Sequence, residues 1–541
     1  MNLSTPAEIP KPFWPRLAFW FIVAGALVLA WMNRFIQDDA FISFRYALNL
    51  VKGHGLVWNP GERIEGYTNF LWTLFMAIPH FMGTDVVQFA TWLGMAFFLG
   101  TLLLTYRTAL EISNSQATAL LTLVLLSTNY TFSAYATGGL ETQMQTCLLM
   151  GCVLLAMVGT RKKAGGGMLA GYSVLAGLSI LTRLDSAVYL IPVTLMLFRS
   201  ISGRGSRSEQ ISRIVLLCLP AVLLVLPWFL WKLSYYGDIV PNTFYAKFNT
   251  QTSMVRGAQY LFSFYAAYWL LPFVILLPFS LRFILERSPR HILPITVVIL
   301  LWSGYVVFVG GDFMEFRILV PIIPLLMMFI AWLIVEFVRQ MEIRYALVLL
   351  VITGSAYHAI TFEMNGKIGY ESISFLEKHL TPDGGNWIDM GRALAKEFNA
   401  DSDVAIATGA SGAIPYYSGL RAVDLYGLTD EHIAKYGVPW TSVPGHQKRA
   451  ELTYLVSRDV NLVIGGMRRT PGNESRVHSY QEMRGWHAII HSPRDIPPDS
   501  CLIEIPTSDG RTFFAWYVVK NPTIDKAIET KKWLVHPVAR Q

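Results

Sequence analysis

Charged side chains are scarce in this chain. Asp, Glu, Lys and Arg make up 15% of its 541 residues, against 53% hydrophobic, whereas soluble domains carry about 25% charged residues. An ordinary soluble protein is excluded, and an integral membrane protein remains. Cysteine is also scarce. Of four, Cys147, Cys152 and Cys218 lie in apolar runs and Cys501 alone in a polar region, so no disulfide framework can staple the polar part. Long internal repeats and low-complexity tracts are missing. The glycine-rich stretch TGASGAIPYYSG, 408–419, lacks the G-x-G-x-x-G spacing and the following acid of a dinucleotide site. A net charge of +7 would suit nucleic acid, but the basic residues sit in short loops between apolar runs, a pattern of membrane orientation. Nucleic acid is not an expected partner.

What is there is a series of apolar runs. Lys11 and Arg16 precede the first, which has no small-residue cleavage pattern behind it and reads as a retained span. Further runs fall near 86–106, 117–133, 142–159, 168–182, 186–198, 213–233, 260–281, 291–309, 318–338 and 344–361, about eleven spans in all. Basic loops at Arg161–Lys163, Arg199–Arg213, Arg282–His291 and Arg339–Arg344 share one side if the amino terminus is cytoplasmic. TNFLWTLFMAIPHFMG, Thr68–Gly83, would break that parity as a span, so it is expected to lie in the outer interface with Trp72 at headgroup level. Residues 1–361 then form a transmembrane domain. Beyond 362, charges, Gly and Pro become frequent and short apolar runs alternate with helical stretches, predicting a soluble α/β domain over 362–541 on the extracytoplasmic side.

The spans carry almost no charge at mid-bilayer. Asp38, Asp39, Arg45, Glu65, Glu141, Arg183, Asp185, Lys247, Asp312 and Arg317 collect instead at the outer ends, unlike the midplane sites of secondary transporters. A charged cavity at that face suits a lipid phosphate whose tail stays in the bilayer while its headgroup meets an extracytoplasmic acceptor. Asp38 or Asp39 could take a proton from an acceptor hydroxyl, and Arg183, Lys247 and Arg317 could hold the phosphate. Successive helical residues diverge by about 100 degrees, so one aspartate of the pair is expected to face the cavity. Arg45, seven residues after Asp38, shares its face. Each piece has a plainer explanation: a helix boundary for the doubled aspartate, an ion pair for TRLD, an aromatic anchor for PNTFYAK. Their joint occurrence on one side favours a site.

These residues carry a resemblance. DDAFISFRYALNLVKGHGLVWNPGERIEGYTNFLW, GGLET, YYGDIVPNTFYAK, VGGDFMEFRILVPIIPLL, ATGASGAIPYYSGLRAVDLYGLTD and GHQKRAE resemble bacterial membrane arabinofuranosyltransferases, among them terminal β-(1→2) arabinofuranosyltransferases of actinobacterial cell walls and, more distantly, a pilin arabinosyltransferase. The resemblance implies a GT-C glycosyltransferase fold in the bacterial inner membrane. It also implies a polyprenyl-phosphoryl arabinose donor, a glycan or pilin-like acceptor and a catalytic aspartate in the first outer loop, with Asp38 favoured over Asp39. Arg45, Asn242, Tyr245 and Asp312 join Arg183, Lys247 and Arg317 on the donor side, and Glu65, Tyr67, Asn69, Glu141 and Asp185 form the acceptor or supporting set. The sequence specifies no cofactor, and assistance by a divalent cation is left open. Two departures stand out: Leu184 follows Arg183 where the family has proline, and Glu315-Phe316 precede Arg317 where it has proline-glycine. Both put in question the backbone kinks that aim those arginines. Other readings are transfer of a different sugar to lipopolysaccharide, lipid A or pilin, transport of a lipid-linked sugar, and a non-catalytic glycan-binding scaffold.

Overall fold

The computed structural model describes residues 13–161, 164–201, 206–247, 250–276, 292–362, 369–399, 402–468, 472 and 474–540. Lys11, Lys162, Lys163 and the whole basic stretch Arg282–His291 lie outside them.

Among the described residues, seven helices are long and apolar enough to cross a membrane: Trp14–Met32, Val86–Ser113, Thr142–Arg161, Arg207–Tyr236, Ile292–Val309, Arg317–Phe337 and Met341–Thr361. The chain is a multi-pass membrane protein. Four shorter apolar helices accompany them, Phe70–Met82, Gln116–Ser127, Gly166–Thr182 and Ser186–Ile201, so the structure does not establish the expected total of about eleven. The run at 260–281 is not one span, because the helix Thr250–Ala267 ends in a turn at Tyr268 and Trp269, whose φ is +55°.

The first long helix, α1 (Phe13–Met32), leads through an extended segment into α2 (Asp38–Val51). Asp38 and Asp39 occupy the first turn of α2, where carboxylates favour the free amides. Gly53, at φ +82°, follows its end. The next helix, α3 (Phe70–Met82), has 13 residues and a length of about 20 Å, short of a hydrocarbon core of about 30 Å. Trp72 is not a headgroup anchor: it is fully buried and donates from Nε1 to the Gly139 carbonyl at 3.0 Å.

The last long apolar helix ends at Thr361, and a mixed α/β unit follows. Its main sheet has the order β2-β1-β5-β7-β6-β8, from β1 (Ala405–Thr408), β2 (Arg421–Asp424), β5 (Leu462–Arg468), β6 (Cys501–Pro506), β7 (Thr512–Tyr517) and β8 (Val535–Pro537). β1 runs parallel to β2 and β5, and the remaining pairings are antiparallel. A two-stranded ribbon, β3 (Val438–Pro439) with β4 (Lys448–Arg449), projects from it. A short helix, α4 (Ala413–Ser418), bridges β1 to β2 and rests on α2, with Phe41 against Tyr416 and Tyr417 at ring separations of 5.5 and 5.4 Å. The carboxyl ends of the parallel strands thus face the membrane helices, the side on which open α/β sheets place their functional loops.

Candidate active site

A cavity of about 440 Å³ opens where the ends of the long helices meet the α/β unit. Of its charged lining residues, α2 gives Asp39, the turn before Ser186–Ile201 gives Arg183 and Asp185, the short helix Asn242–Lys247 gives Lys247, and the segment after Ile292–Val309 gives Asp312 and Arg317. Glu65, Tyr67, Asn69 and Glu141 complete the polar lining, with Leu428 and Pro444 contributed by the α/β unit.

The two aspartates of α2 separate as the helical geometry requires. Asp39 is half-buried and lines the cavity. Burial raises its pKa, against the attraction of Lys247 and Arg317. Asp38 turns away. Its carboxylate accepts from the backbone N–H of Gly412 at 3.0 Å and of Ala413 at 2.7 Å, and burial pushes its pKa up to about 7 despite those bonds. The expectation that favoured Asp38 as base therefore meets a geometry in which both its oxygens are engaged and Asp39 faces the open volume.

The cations differ in what they have left to offer. Arg183 bridges Glu141 at 2.7 Å and Asp185 at 2.7 Å, and its Nε also donates to Asp185, so its whole fork is engaged. Arg317 pairs with Asp312 through Nε at 2.8 Å and Nη2 at 2.7 Å, while its Nη1 meets no described hydrogen-bond acceptor. Lys247 has no ion pair among the described residues, and burial lowers its pKa. Burial pushes Asp312 and Glu141 upward, but Arg317 and Arg183 respectively outweigh it and hold both carboxyls below their ordinary range. The ammonium of Lys247 and one edge of Arg317 are accordingly the donors free for an incoming anion.

Asn69 fixes the floor, donating to Glu141 at 2.8 Å and bonding Ser43 at 3.1 Å. Glu65 pairs at 2.6 Å with Lys232, a residue the sequence did not single out. Its only signal is a lone lysine near the end of the apolar helix Arg207–Tyr236. Tyr67 faces the cavity and hydrogen-bonds Tyr236 at 3.1 Å.

Three residues expected on the donor side lie elsewhere. The Arg45 guanidinium is occupied by Trp58 O at 2.7 Å, Asn59 Oδ1 at 3.0 Å, Leu420 O at 2.7 Å and the Pro415 carbonyl. Asn242 donates to the Gly427 and Leu428 carbonyls at 2.9 and 3.1 Å and ties the α/β unit down. Tyr245 donates to Asp238 at 3.0 Å, outside the cavity lining. Arg45 and Asn242 help to seat the α/β unit by donating to its backbone carbonyls, groups that need donors when buried. Among the described residues, no group of three or more His, Cys, Asp or Glu is placed to hold a metal ion.

The chain is similar to known proteins in both sequence and fold. It is 28% identical over 345 residues to the terminal β-(1→2)-arabinofuranosyltransferase of Mycobacterium tuberculosis, covering 56% of this chain and 54% of that protein. With the same-named protein of Corynebacterium glutamicum it shares 26% identity over 344 residues, 57% and 48% of the two chains. The chain thus spans about half the length of the curated relatives it matches. Residues 373–515 match a domain of unknown function, DUF8728. Among solved structures, ArnT from Cupriavidus metallidurans bound to undecaprenyl phosphate superimposes with a TM-score of 0.53 at 13% identity, covering 77% of this chain and 87% of ArnT. The apo oligosaccharyltransferase of Archaeoglobus fulgidus gives a TM-score of 0.53 at 11% identity, covering 93% and 74%. These likenesses establish the GT-C fold expected from the sequence resemblance.

Proposed function

We propose that this protein is a glycosyltransferase that moves a pentofuranose, arabinose by its resemblance, from a polyprenyl phosphate to an extracytoplasmic glycan or protein. One observation carries the reading: the carboxylate of Asp39 shares a cavity with the ammonium of Lys247 and with Arg317, which keeps one edge open beside its pair with Asp312. The resemblance to arabinofuranosyltransferases and a fold shared with an ArnT bound to undecaprenyl phosphate support the donor class.

In this reading the donor phosphate rests against Lys247 Nζ and Arg317 Nη1, with its lipid chain among the apolar helices. An acceptor hydroxyl attacks the anomeric carbon while Asp39 takes its proton. The bond from that carbon to the phosphate oxygen breaks, its electron pair leaves with the polyprenyl phosphate, and the two cations meet the added charge. Arg183 shapes the site by holding Glu141 and Asp185. The basic-loop pattern supports an orientation with the cavity and the α/β unit outside the cytoplasm and the amino terminus inside.

The test is direct: purified protein in lipid, a synthetic polyprenyl-phosphoryl arabinose, arabinan and pilin-type acceptors, and mass analysis for a pentose increment. Failure with arabinose but transfer of another sugar would keep the reaction class and replace the sugar. Movement of the donor across the bilayer with no new glycosidic bond would refute it.

A further inference from the structure

Asp38 and Arg45 meet opposite ends of one short helix of the α/β unit. The Asp38 carboxylate accepts the amides of Gly412 and Ala413, which open α4, and Arg45 donates to the carbonyl of Pro415 within it and of Leu420 two residues beyond its end. Seven residues on α2 span about 10.5 Å, and the six residues of α4 span about 9 Å, so the two side chains are spaced to grip it at both ends. The two amides held by Asp38 are ones that the first turn of a helix leaves unpaired, and Arg45 adds a donor to the Pro415 carbonyl, which also accepts from the Gly419 amide at 3.1 Å. Asn59 extends the grip to β2, donating to the Ala422 carbonyl at 2.8 Å and accepting its amide at 3.2 Å, while Arg45 holds Asn59.

The approach is close enough to demand glycine. A Cβ on Gly412 would stand 1.8 Å from the Asp38 carbonyl oxygen and 2.8 Å from its Cγ, so any side chain there forces the two elements apart. Asp39 follows Asp38 directly, about 100 degrees around the helix. Fixing one on the amides therefore fixes where the other points.

Resting on the glycosyltransferase reading, we propose that the α/β unit is a working part of the catalytic site, its α4 clamping the first turn of α2 so that Asp38 is a positioning residue for the base Asp39. A domain that served only as an acceptor platform would not need a carboxylate adjoining the base. With the clamp released, the donor phosphate still finds Lys247 and Arg317 on other elements, but Asp39 no longer aims at the acceptor hydroxyl.

The test uses the full chain in lipid and compares Gly412→Ala, Asp38→Asn and Arg45→Lys with Asp39→Asn. The clamp predicts that the first three lower kcat by about tenfold to a hundredfold, the scale of a misplacement near 1 Å, with the donor KM within about twofold, as for interactions that act in the transition state alone. The acid limb of the kcat profile should also move to higher pH, because an Asp39 carried away from its cations holds its proton more tightly. A merely structural defect would reduce the active fraction and leave that limb in place. If Gly412→Ala does not fold, Arg45→Lys reads the same clamp from its other end, keeping the charge but not the fork. An inert Asp39→Asn beside clamp variants with wild-type kcat and acid limb would overturn the inference while sparing the glycosyltransferase reading. An active Asp39→Asn would remove Asp39 as the base and the inference with it, whereas a wild-type protein that forms no glycosidic bond would sink the glycosyltransferase reading itself.

Discussion

Arg317 reaches back five residues to grip Asp312, donating from Nε and Nη2 to the same carboxylate oxygen at 2.8 and 2.7 Å. The turn that brings them together is made by Phe316, which sits at φ +43°, a region L residues with large side chains rarely adopt. Its ring is fully buried against Tyr260 and Phe264 at 5.5 and 5.3 Å. Glu315 anchors the same turn, accepting from His358 Nε2 at 2.8 Å and from the Ile373 amide at 2.8 Å. Where the resembling family has proline-glycine, this chain builds the kink from a strained aromatic and a buried carboxylate.

Phe316→Gly should therefore destabilise the protein although it removes strain. Relieving the left-handed backbone gains about 1 to 2 kcal/mol, whereas deleting a buried phenyl ring costs about 3 to 5 kcal/mol. The packing loss wins by about 1 to 4 kcal/mol, measurable as a lower unfolding midpoint in detergent. A more stable variant would show that the ring contributes little.

The three cavity cations should separate in assay. Lys247→Ala and Arg317→Ala remove charge-assisted bonds to phosphate worth about 1.5 to 3 kcal/mol each, so the donor KM should rise roughly tenfold or more. Arg183→Ala strands the buried Glu141 and Asp185 carboxylates, a loss of about 3 to 5 kcal/mol, and should appear first as reduced thermal stability. A stable Arg183→Ala with a raised donor KM would move the phosphate to Arg183.

Orientation can be read by labelling. Single cysteines placed at the exposed positions Gln340 and Ser475 should react with an impermeant maleimide from opposite sides, Ser475 from outside, because Arg339 and Arg344 belong to the basic loops. A Ser475 label reachable only from the cytoplasm would put the cavity in the wrong compartment for an extracytoplasmic acceptor.

Much of this was legible in the sequence because its signals are local. Hydrophobic runs marked the long helices, and charges excluded from them had to gather at helix ends, which brought Asp39, Arg183, Lys247, Asp312 and Arg317 into one cavity. What stayed hidden depends on partners far along the chain. That Asp38 rather than Asp39 turns to the α/β unit follows from amides 374 and 375 residues away, and helical spacing alone says only that the two must diverge. Arg45, Asn242 and Tyr245 carry donors of the right kind for a phosphate, yet carbonyls and a carboxylate elsewhere claim them first. The break at Trp269 in an apolar run leaves no mark in hydropathy, because the turn is made of apolar residues.

Chelation should leave turnover unchanged. In the proposed mechanism Lys247 and Arg317 supply the positive charge that a divalent ion provides in other phosphate chemistry, so no step of it calls on a metal. Assay after EDTA treatment, with and without added magnesium or manganese, checks this. Loss of activity restored by one ion would make Asp39 and Asp312 metal ligands instead of a base and the ion-pair partner of Arg317.

The pH dependence follows from two adjacent carboxyls with opposite consequences. Asp39 works as a base only when ionised, and burial lifts its pKa above the ordinary value of 3.8, so kcat/KM should climb with pH along a limb displaced above the normal aspartate range. Asp38, pushed up to about 7 by burial, acts on stability. Because its folded pKa exceeds its unfolded one, its contribution is fully present below about pH 4 and is lost as pH rises through about 7. Glu65, also raised to about 7 by burial, adds in the same direction. Stability should therefore fall across the interval in which activity rises, and Asp38→Asn, which cannot ionise, should flatten that fall. Unfolding midpoints of wild type and Asp38→Asn measured from pH 5 to 8 decide it: parallel curves would mean that Asp38 is ionised throughout and bound to its amides as a carboxylate.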